Sequence, residues 1–385
     1  MLPKLFGVST IAAGLVYLAA SEPIRHSIPD RVKLSPHAAT CTPNAGGSPT
    51  IDDVPAIDQL SFAGCSGCTF KILGELSVST DFNYWNGKGE IIHLQGITGA
   101  RITGSGMING NGQASWDYFA SNSSYKRPYL IRVDDSSNIQ MSRITLKDAP
   151  MFHVVTSGNS KNVVYSDMNL YSVSNSSNVA HNTDGFDIGP ASYVTVQNTQ
   201  ITNNDDCVVL KPGASYVTAT GITCVGSHGL SVGSLAGGAN SDDIVTNSIF
   251  KNCTMSGSTK AAGIKYYPGG TTHGTGIVSN VTWEDIFCDS CNYAIQIETC
   301  YSSNSTYCAQ YPSTGQISDV VFSGFSGTTS GHYKDVVANI DCSSAGTCGM
   351  VIGDFSVVAP DEASKVLCTN TPSDLGVTCT AGASG

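Results

Sequence analysis

A short motif recurs along this chain at a spacing that few folds accept. A polar residue precedes a β-branched residue at Asn138-Ile139, Asn162-Val163, Tyr193-Val194, Tyr216-Val217, Asp243-Ile244, Asn280-Val281 and Asp319-Val320. Counted between the β-branched residues, the steps are 24, 31, 23, 27, 37 and 39 residues. Such steps are too long for a hairpin meander and suit successive coils of a parallel β-solenoid. One coil cannot bury its apolar face alone, so stacking is what creates the core. An antiparallel sandwich would need regular two-residue turns, and none are evident. Composition agrees. Charged residues are only 13% of the 385, while Gly numbers 41. Helical solenoids and coiled coils need charged outer faces, disorder needs charge without hydrophobics, and many short strands need turn residues. No amphipathic helix of convincing length is expected in the body. The predicted fold is therefore all-β, a parallel β-helix.

A second column carries chemistry. Asp184-Gly185-Phe186, Asp206-Cys207-Val208 and His228-Gly229-Leu230 repeat at 22-residue steps. If 22 residues make one coil, Phe186, Val208 and Leu230 stack inward. Asp184, Asp206 and His228 then stand in a ladder with rungs about 4.8 Å apart. The next strand, Gly263-Ile264-Lys265-Tyr266, should place Lys265 level with Asp187, Val209 and Ser231. Asp187 itself reads as inward-facing or structural.

Carboxylates crowded on one face raise each other's proton affinity, so one can stay protonated while another stays ionised. That is what hydrolysis of a glycosidic bond requires. Asp205 and Asp206 are adjacent and reach the same face only if the backbone kinks between turn and strand. His228 can share a proton with a carboxylate, and Lys265 can pair with an anionic group of a substrate. Each has a plainer reading. Asp and Asn in solenoid turns often only cap backbone groups, a lone His is often a packing residue, and Lys265 can be a solvated strand residue. Register with one another is what favours function. Asn182 suits holding Asp184 as well as touching a substrate.

The ends and the cysteines locate the chain. Residues 1–20 read as a signal peptide: Lys4, then an apolar run from Leu5 to Ala20 with small residues at its close. Residues 21–40 are a candidate propeptide, and 41–385 a single catalytic solenoid. The apolar run is short for a membrane span, so no membrane contact is expected once it is removed. Fourteen cysteines and five sequons, beginning at Asn122, Asn175, Asn252, Asn280 and Asn304, fit a secreted glycoprotein with structural disulfides. Cys207–Cys224, Cys300–Cys308, Cys342–Cys348 and Cys368–Cys379 are expected pairs. The CxxC pairs Cys65/Cys68 and Cys288/Cys291 favour disulfides over zinc. The net charge of −11 disfavours nucleic acid.

Asn182-Thr183-Asp184, Asp205-Asp206, His228-Gly229 and Ile264-Lys265 resemble, in order and spacing, the four blocks of the polygalacturonase family, glycoside hydrolase family 28. The resemblance runs from about Cys41 to Gly385. It implies a right-handed β-helix that hydrolyses pectin backbones with inversion and needs no cofactor or metal. It implies Asp205 as general acid, Asp184 and Asp206 activating water, His228 supporting the acid, and Lys265 holding a substrate carboxylate. The family's cleft Tyr is matched by Tyr301, which can equally be packing on the Cys300–Cys308 loop.

The chain departs from the family in two places. The fourth block is usually Arg-Ile-Lys, and here it reads Gly263-Ile264-Lys265. The absent Arg would grip a galacturonate carboxylate through two hydrogen bonds. Its loss should weaken binding of plain polygalacturonate, and Gly263 should open room for a side group. With the tail Asn370 to Gly376, this stretch looks most like fungal endo-xylogalacturonan hydrolases, which cut xylose-decorated galacturonan. Between Ile57 and Cys65 the family has some twenty further residues, including a partner for Cys41. Their loss should weaken the cap of the solenoid. The expected partner is a plant cell-wall pectic polysaccharide, and a monomer is expected. Three competing functions are an exo- or endo-polygalacturonase on plain chains, a calcium-dependent pectate lyase, and a non-catalytic polysaccharide-binding solenoid.

Overall fold

In the computed structural model, residues 59–360 and 363–384 are described, with the backbone of 33–34. The leader, most of the proposed propeptide, Cys41 and Ile57 lie outside the described residues. Each recurring motif opens a strand of one parallel sheet. Ile139, Val163, Val194 and Val217 are in register, and Val281 pairs with Val320. Between them stands Ser248, which pairs with Val281 and whose hydroxyl accepts the Val217 amide at 3.1 Å. The member of the series at that point is therefore Asn247-Ser248. Asp243-Ile244, assigned by sequence, lies earlier in the same long strand, Asp242–Ser256.

The polar residue of the motif has a backbone role. Asn138, Asn162, Tyr193, Tyr216, Asn247, Asn280 and Asp319 all adopt left-handed backbone, with φ between 52° and 57°. Asn and Asp tolerate this region better than most residues. Tyr193 and Tyr216 lack that advantage and stack their exposed rings on each other, centroids 4.8 Å apart.

One coil runs through Phe186–Ile188, Ala191–Gln197 and Gln200–Thr202 and returns at Val208–Leu210. Repetition builds a right-handed parallel β-helix with sheets of 17 and 12 strands among the described residues. Phe186, Val208 and Leu230 are in register, so the 22-residue coil is as predicted. Inward columns fill the core. Phe250, Trp283 and Phe322 stack at 5.2 and 4.7 Å, and the burial of such large rings is a major source of stability. Among the described residues the one antiparallel pairing is Lys33–Leu34 against Thr69–Ile72.

Three sequence expectations are corrected. A ten-residue helix, Gly112–Ser121, does occur in the body. It docks through buried Trp116, whose indole N–H donates to the Ala149 carbonyl at 3.1 Å. Not all CxxC pairs form disulfides. The four predicted bonds and Cys65–Cys68 are present, but Cys253, Cys288 and Cys291 are buried thiols. Lys265 is not level with Asp187, Val209 and Ser231. Gly263 holds that place, and Lys265 pairs with Gly233, one outward position further on.

Candidate active site

The acidic pair lies in the bend between Gln200–Thr202 and Val208–Leu210, where regular alternation lapses. The bend is pinned to the coil before it. Asn203 Nδ2 donates to the carbonyls of Thr183 at 2.7 Å and Asp206 at 2.9 Å. The Thr183 hydroxyl donates to Ala180 and accepts the Asn204 amide. Beneath, the fully buried His153 ring places Nδ1 3.1 Å from the Asp184 carbonyl and Nε2 3.0 Å from the Ser172 hydroxyl. Burial pushes this imidazole down to about 4, so it is neutral at ordinary pH.

With both turns fixed, Asp184, Asp205 and Asp206 converge. One oxygen from each lies within 4.8 Å of the others. The backbone kink required by the sequence therefore exists. Asp206 is deepest. Its Oδ2 is 2.5 Å from Lys265 Nζ, and its Oδ1 accepts the Ser231 hydroxyl at 2.8 Å. Asp205 is more open, its side chain 17% exposed against 2% for Asp206. His228 Nδ1 stands 3.2 Å from Asp205 Oδ1, and Asn182 Nδ2 donates to Oδ2 at 3.3 Å. Asp184 Oδ2 faces Lys211 Nζ at 3.8 Å, and Asp187 Oδ2 faces the same ammonium at 3.5 Å.

These contacts split the carboxyls electrostatically. Burial raises the Asp184 carboxyl well above the usual range, and Asp187 and then Asp205 add to it. Asp187 is also raised by burial, against the pull of Lys211. Burial acts on Asp206 as well, but Lys265, then Lys260 and Lys211, outweigh it and hold Asp206 far below the ordinary value. For Asp205, the contact with His228 outweighs burial and the net shift is downward. Lys265 and Lys211 pay for their burial through the same anions and are raised.

All seven residues singled out in the sequence lie in or beside this cluster, with changed partners for some. Asn182 holds Asp205 rather than Asp184, and its left-handed backbone (φ 56°) suits Asn. Lys265 is ion-paired with Asp206. Its ammonium is 5.5 Å from the centroid of the half-buried Tyr301 ring. Asp187 is not inward: it faces outward to Lys211. Gly263 does not leave an open space. A Cβ there would lie 2.5 Å from the Gln296 carbonyl oxygen and 2.7 Å from Cδ of Lys260.

Several residues escaped the sequence reading. Lys211 stands 22 residues before Gly233, which pairs with Lys265. Extending the 22-residue column by one outward position would have found it. Arg127 is buried. Its guanidinium donates to Asn182 Oδ1 at 2.8 Å, to the His181 carbonyl and to the Pro150 carbonyl, and lies 4.2 Å over the Phe119 ring. No local pattern announces a residue that reaches the site across 55 positions. Among the described residues, the three clustered carboxylates are the group that could offer oxygens to a cation, but ammonium groups already face two of them.

Residues 48–380 match the family model described as glycosyl hydrolases family 28. The chain is 46% identical over 405 residues to the probable endo-xylogalacturonan hydrolase A of Aspergillus flavus, covering 98% of this chain and 99% of the relative. It is 45% identical over 402 residues to the endo-xylogalacturonan hydrolase A of Aspergillus tubingensis, covering 96% and 98%. The crystal structure of the endo-xylogalacturonan hydrolase from Aspergillus tubingensis superposes with a TM-score of 0.84 at 47% identity, covering 85% of this chain and 88% of that one. A polygalacturonase from Erwinia carotovora shares the fold at 20% identity, TM-score 0.67, covering 82% and 85%.

Proposed function

The chain belongs to glycosyl hydrolase family 28, and from that premise we propose that it cleaves the galacturonan backbone of pectin by single displacement, acting on xylose-substituted chains. One observation carries the reading. Asp205, in contact with the partly exposed His228, has a carboxylate oxygen within 4.8 Å of two deeper carboxylates, one of them ion-paired with Lys265.

In this reading Asp205 protonates the departing glycosidic oxygen as the C–O bond breaks. The Asp205–His228 contact holds the proton needed, and His228 keeps it within reach of Asp205 after each turnover. Water attacks the anomeric carbon from the flank formed by Asp184 and Asp206, and gives its proton to that flank. Asp206, kept ionised by Lys265, orients the water. Asp184, whose burial makes it the stronger base, receives the proton. Tyr301 and Lys265 border the bound sugar, and Asn182, held by Arg127, fixes Asp205.

The carboxylates are closer together than the roughly 6.5–9.5 Å of ordinary inverting pairs. The water is therefore held at one flank rather than between opposed walls. Proton NMR of the first product should show the anomer opposite to the bond cut, and retention would overturn the single displacement. The support for decorated substrate is the named relatives and the absence of an arginine at Gly263.

Reducing-end release and oligomer profiles on xylogalacturonan beside polygalacturonic acid test the function. Faster release from the xylosylated chain is expected. Equal or faster release from the plain chain means a polygalacturonase, and no release from either means a binding solenoid. Secretion fits the leader-like first 20 residues and the five disulfides among the described residues. Among the described residues no helix is long and apolar enough to cross a membrane. With sheet strands paired coil to coil, the enzyme acts as a monomer, which sedimentation would check.

A further inference from the structure

Among the described residues, every cation around the acid cluster has a counterpart except one. Lys265 faces Asp206, Lys211 faces Asp184 and Asp187, and Arg127 faces Asn182 and two carbonyls. Lys260, the first residue of the strand Lys260–Tyr266, is 4% exposed. Among the described residues its ammonium has neither an ion-pair partner nor a hydrogen-bond acceptor. Burial first, and then the like charge of Lys265, holds its pKa below the ordinary value, while Asp206, Glu298 and Asp205 pull the other way. An unpaired buried charge is unfavourable, so its retention calls for an anion that arrives.

Its placement says where. The stem passes Gly229, next to His228: Cγ is 3.1 Å from where a Cβ at Gly229 would stand. It then lies over Gly263, with Cδ and Cε 2.7 and 2.9 Å from a Cβ built there. Two glycines thus form the bed on which the chain of Lys260 rests, and any side chain at Gly263 would displace it. Gly263 is level with Ser231, which holds Asp206. The ammonium is therefore delivered to the outward face of the same sheet as the acid cluster. An arriving polyanion would find there, among the described residues, a lysine with neither a carboxylate nor a hydrogen-bond acceptor of its own.

We propose that Lys260 is a substrate-binding residue whose ammonium receives a carboxylate of the uronide chain over Gly263, beside the scissile bond. This rests on the reading of galacturonan as substrate. The charge that an arginine at position 263 would carry is supplied here from three residues earlier in the strand, and Gly263 is required to let it through.

The test is calorimetric binding of a galacturonate oligomer, and of its methyl ester, to the full chain and to Lys260→Met, with reducing-end assays on the same preparations. Methionine keeps an unbranched stem and removes the charge. The variant should bind the acid oligomer at least about tenfold more weakly, the scale of a charge-assisted hydrogen bond. Binding of the ester should be unchanged, and the melting temperature equal or higher, because an unpaired buried charge is removed. Unchanged affinity for the acid oligomer, equal weakening for acid and ester, or no binding by the parent would each overturn the proposal. If the parent binds in a Lys260-dependent manner but releases no reducing ends, the hydrolytic reading falls and this one stands. If the parent cleaves and Lys260→Met binds like it, the reverse holds.

Discussion

Two lysine–carboxylate pairs sit on outward faces of this solenoid, and they behave as different objects. Lys251 and Glu284 meet at 2.9 Å on the larger sheet, their side chains 40% and 37% exposed. Lys265 and Asp206 meet at 2.5 Å on the smaller sheet, 7% and 2% exposed. Strand alternation directs Lys251, Glu284 and Lys265 away from the core, and the bend before Val208–Leu210 brings Asp206 to the same face as Lys265. At Lys251 water screens the charges and the pair contributes little. At Lys265 water is excluded, so each charge depends on the other. Strands show the same split. Ala191–Gln197 alternates between buried and open positions, whereas every residue of Lys260–Tyr266 is buried. Pointing outward on the site sheet does not mean facing solvent, and that is where the polar residues become reactive.

The contrast predicts a graded set of effects. Asp205→Asn removes the proposed proton donor and should lower kcat by about a thousandfold, within the range of general acid catalysis. Lys251→Met should leave kcat as it is. Steady-state kinetics on xylogalacturonan reads both, and a loss of less than tenfold for Asp205→Asn would remove it from the acid role. Lys265→Met strands Asp206 in the interior and should cost about 3–5 kcal/mol in urea unfolding, together with a raised KM. Lys251→Met should shift the midpoint negligibly, and equal losses would erase the distinction between the two faces.

The Lys265–Asp206 pair also has a pH signature. Asp206 is depressed in the folded state, so its stabilisation is present above its ordinary value of 3.8 and fades as pH falls below it toward the folded value. In Lys265→Met this acid dependence should weaken. The smallest effect is expected at Asp187. Its charge is the largest contribution after burial to the raised Asp184 carboxyl. Asp187→Asn should therefore lower the Asp184 pKa and move the acidic limb of kcat to lower pH. The optimum rate should change less than about tenfold, or 1.4 kcal/mol. A limb that stays in place would mean that Asp184 is not the titrating base.

The sequence was most legible where a rule is local and repeated. The 22-residue step through Asp184, Asp206 and His228 survives as strand register, because each coil adds one rung and register follows residue count. The larger sheet gave a false member, Asp243-Ile244. A polar residue before a β-branched one is a weak signature, and the marker that unites the true series is left-handed backbone, which no composition rule reports. The helix Gly112–Ser121 was missed for a related reason. What holds it is Trp116 against a coil 33 residues away rather than its own amphipathic pattern.

Residue type and spacing alone determined that this chain winds into a stack of coils and that three acids and a histidine share one edge of it. Both follow from the period of the backbone, which is written into residue count. Tertiary structure decided the rest: that Lys265 is committed to Asp206, that Lys211 and Asp187 complete the cluster, that Arg127 steadies Asn182, and that Lys260 lies where Gly263 leaves room. Those outcomes depend on which side chains lose their water when neighbouring coils close over them. Desolvation is a property of the packed solid, and no single strand of the sequence contains it.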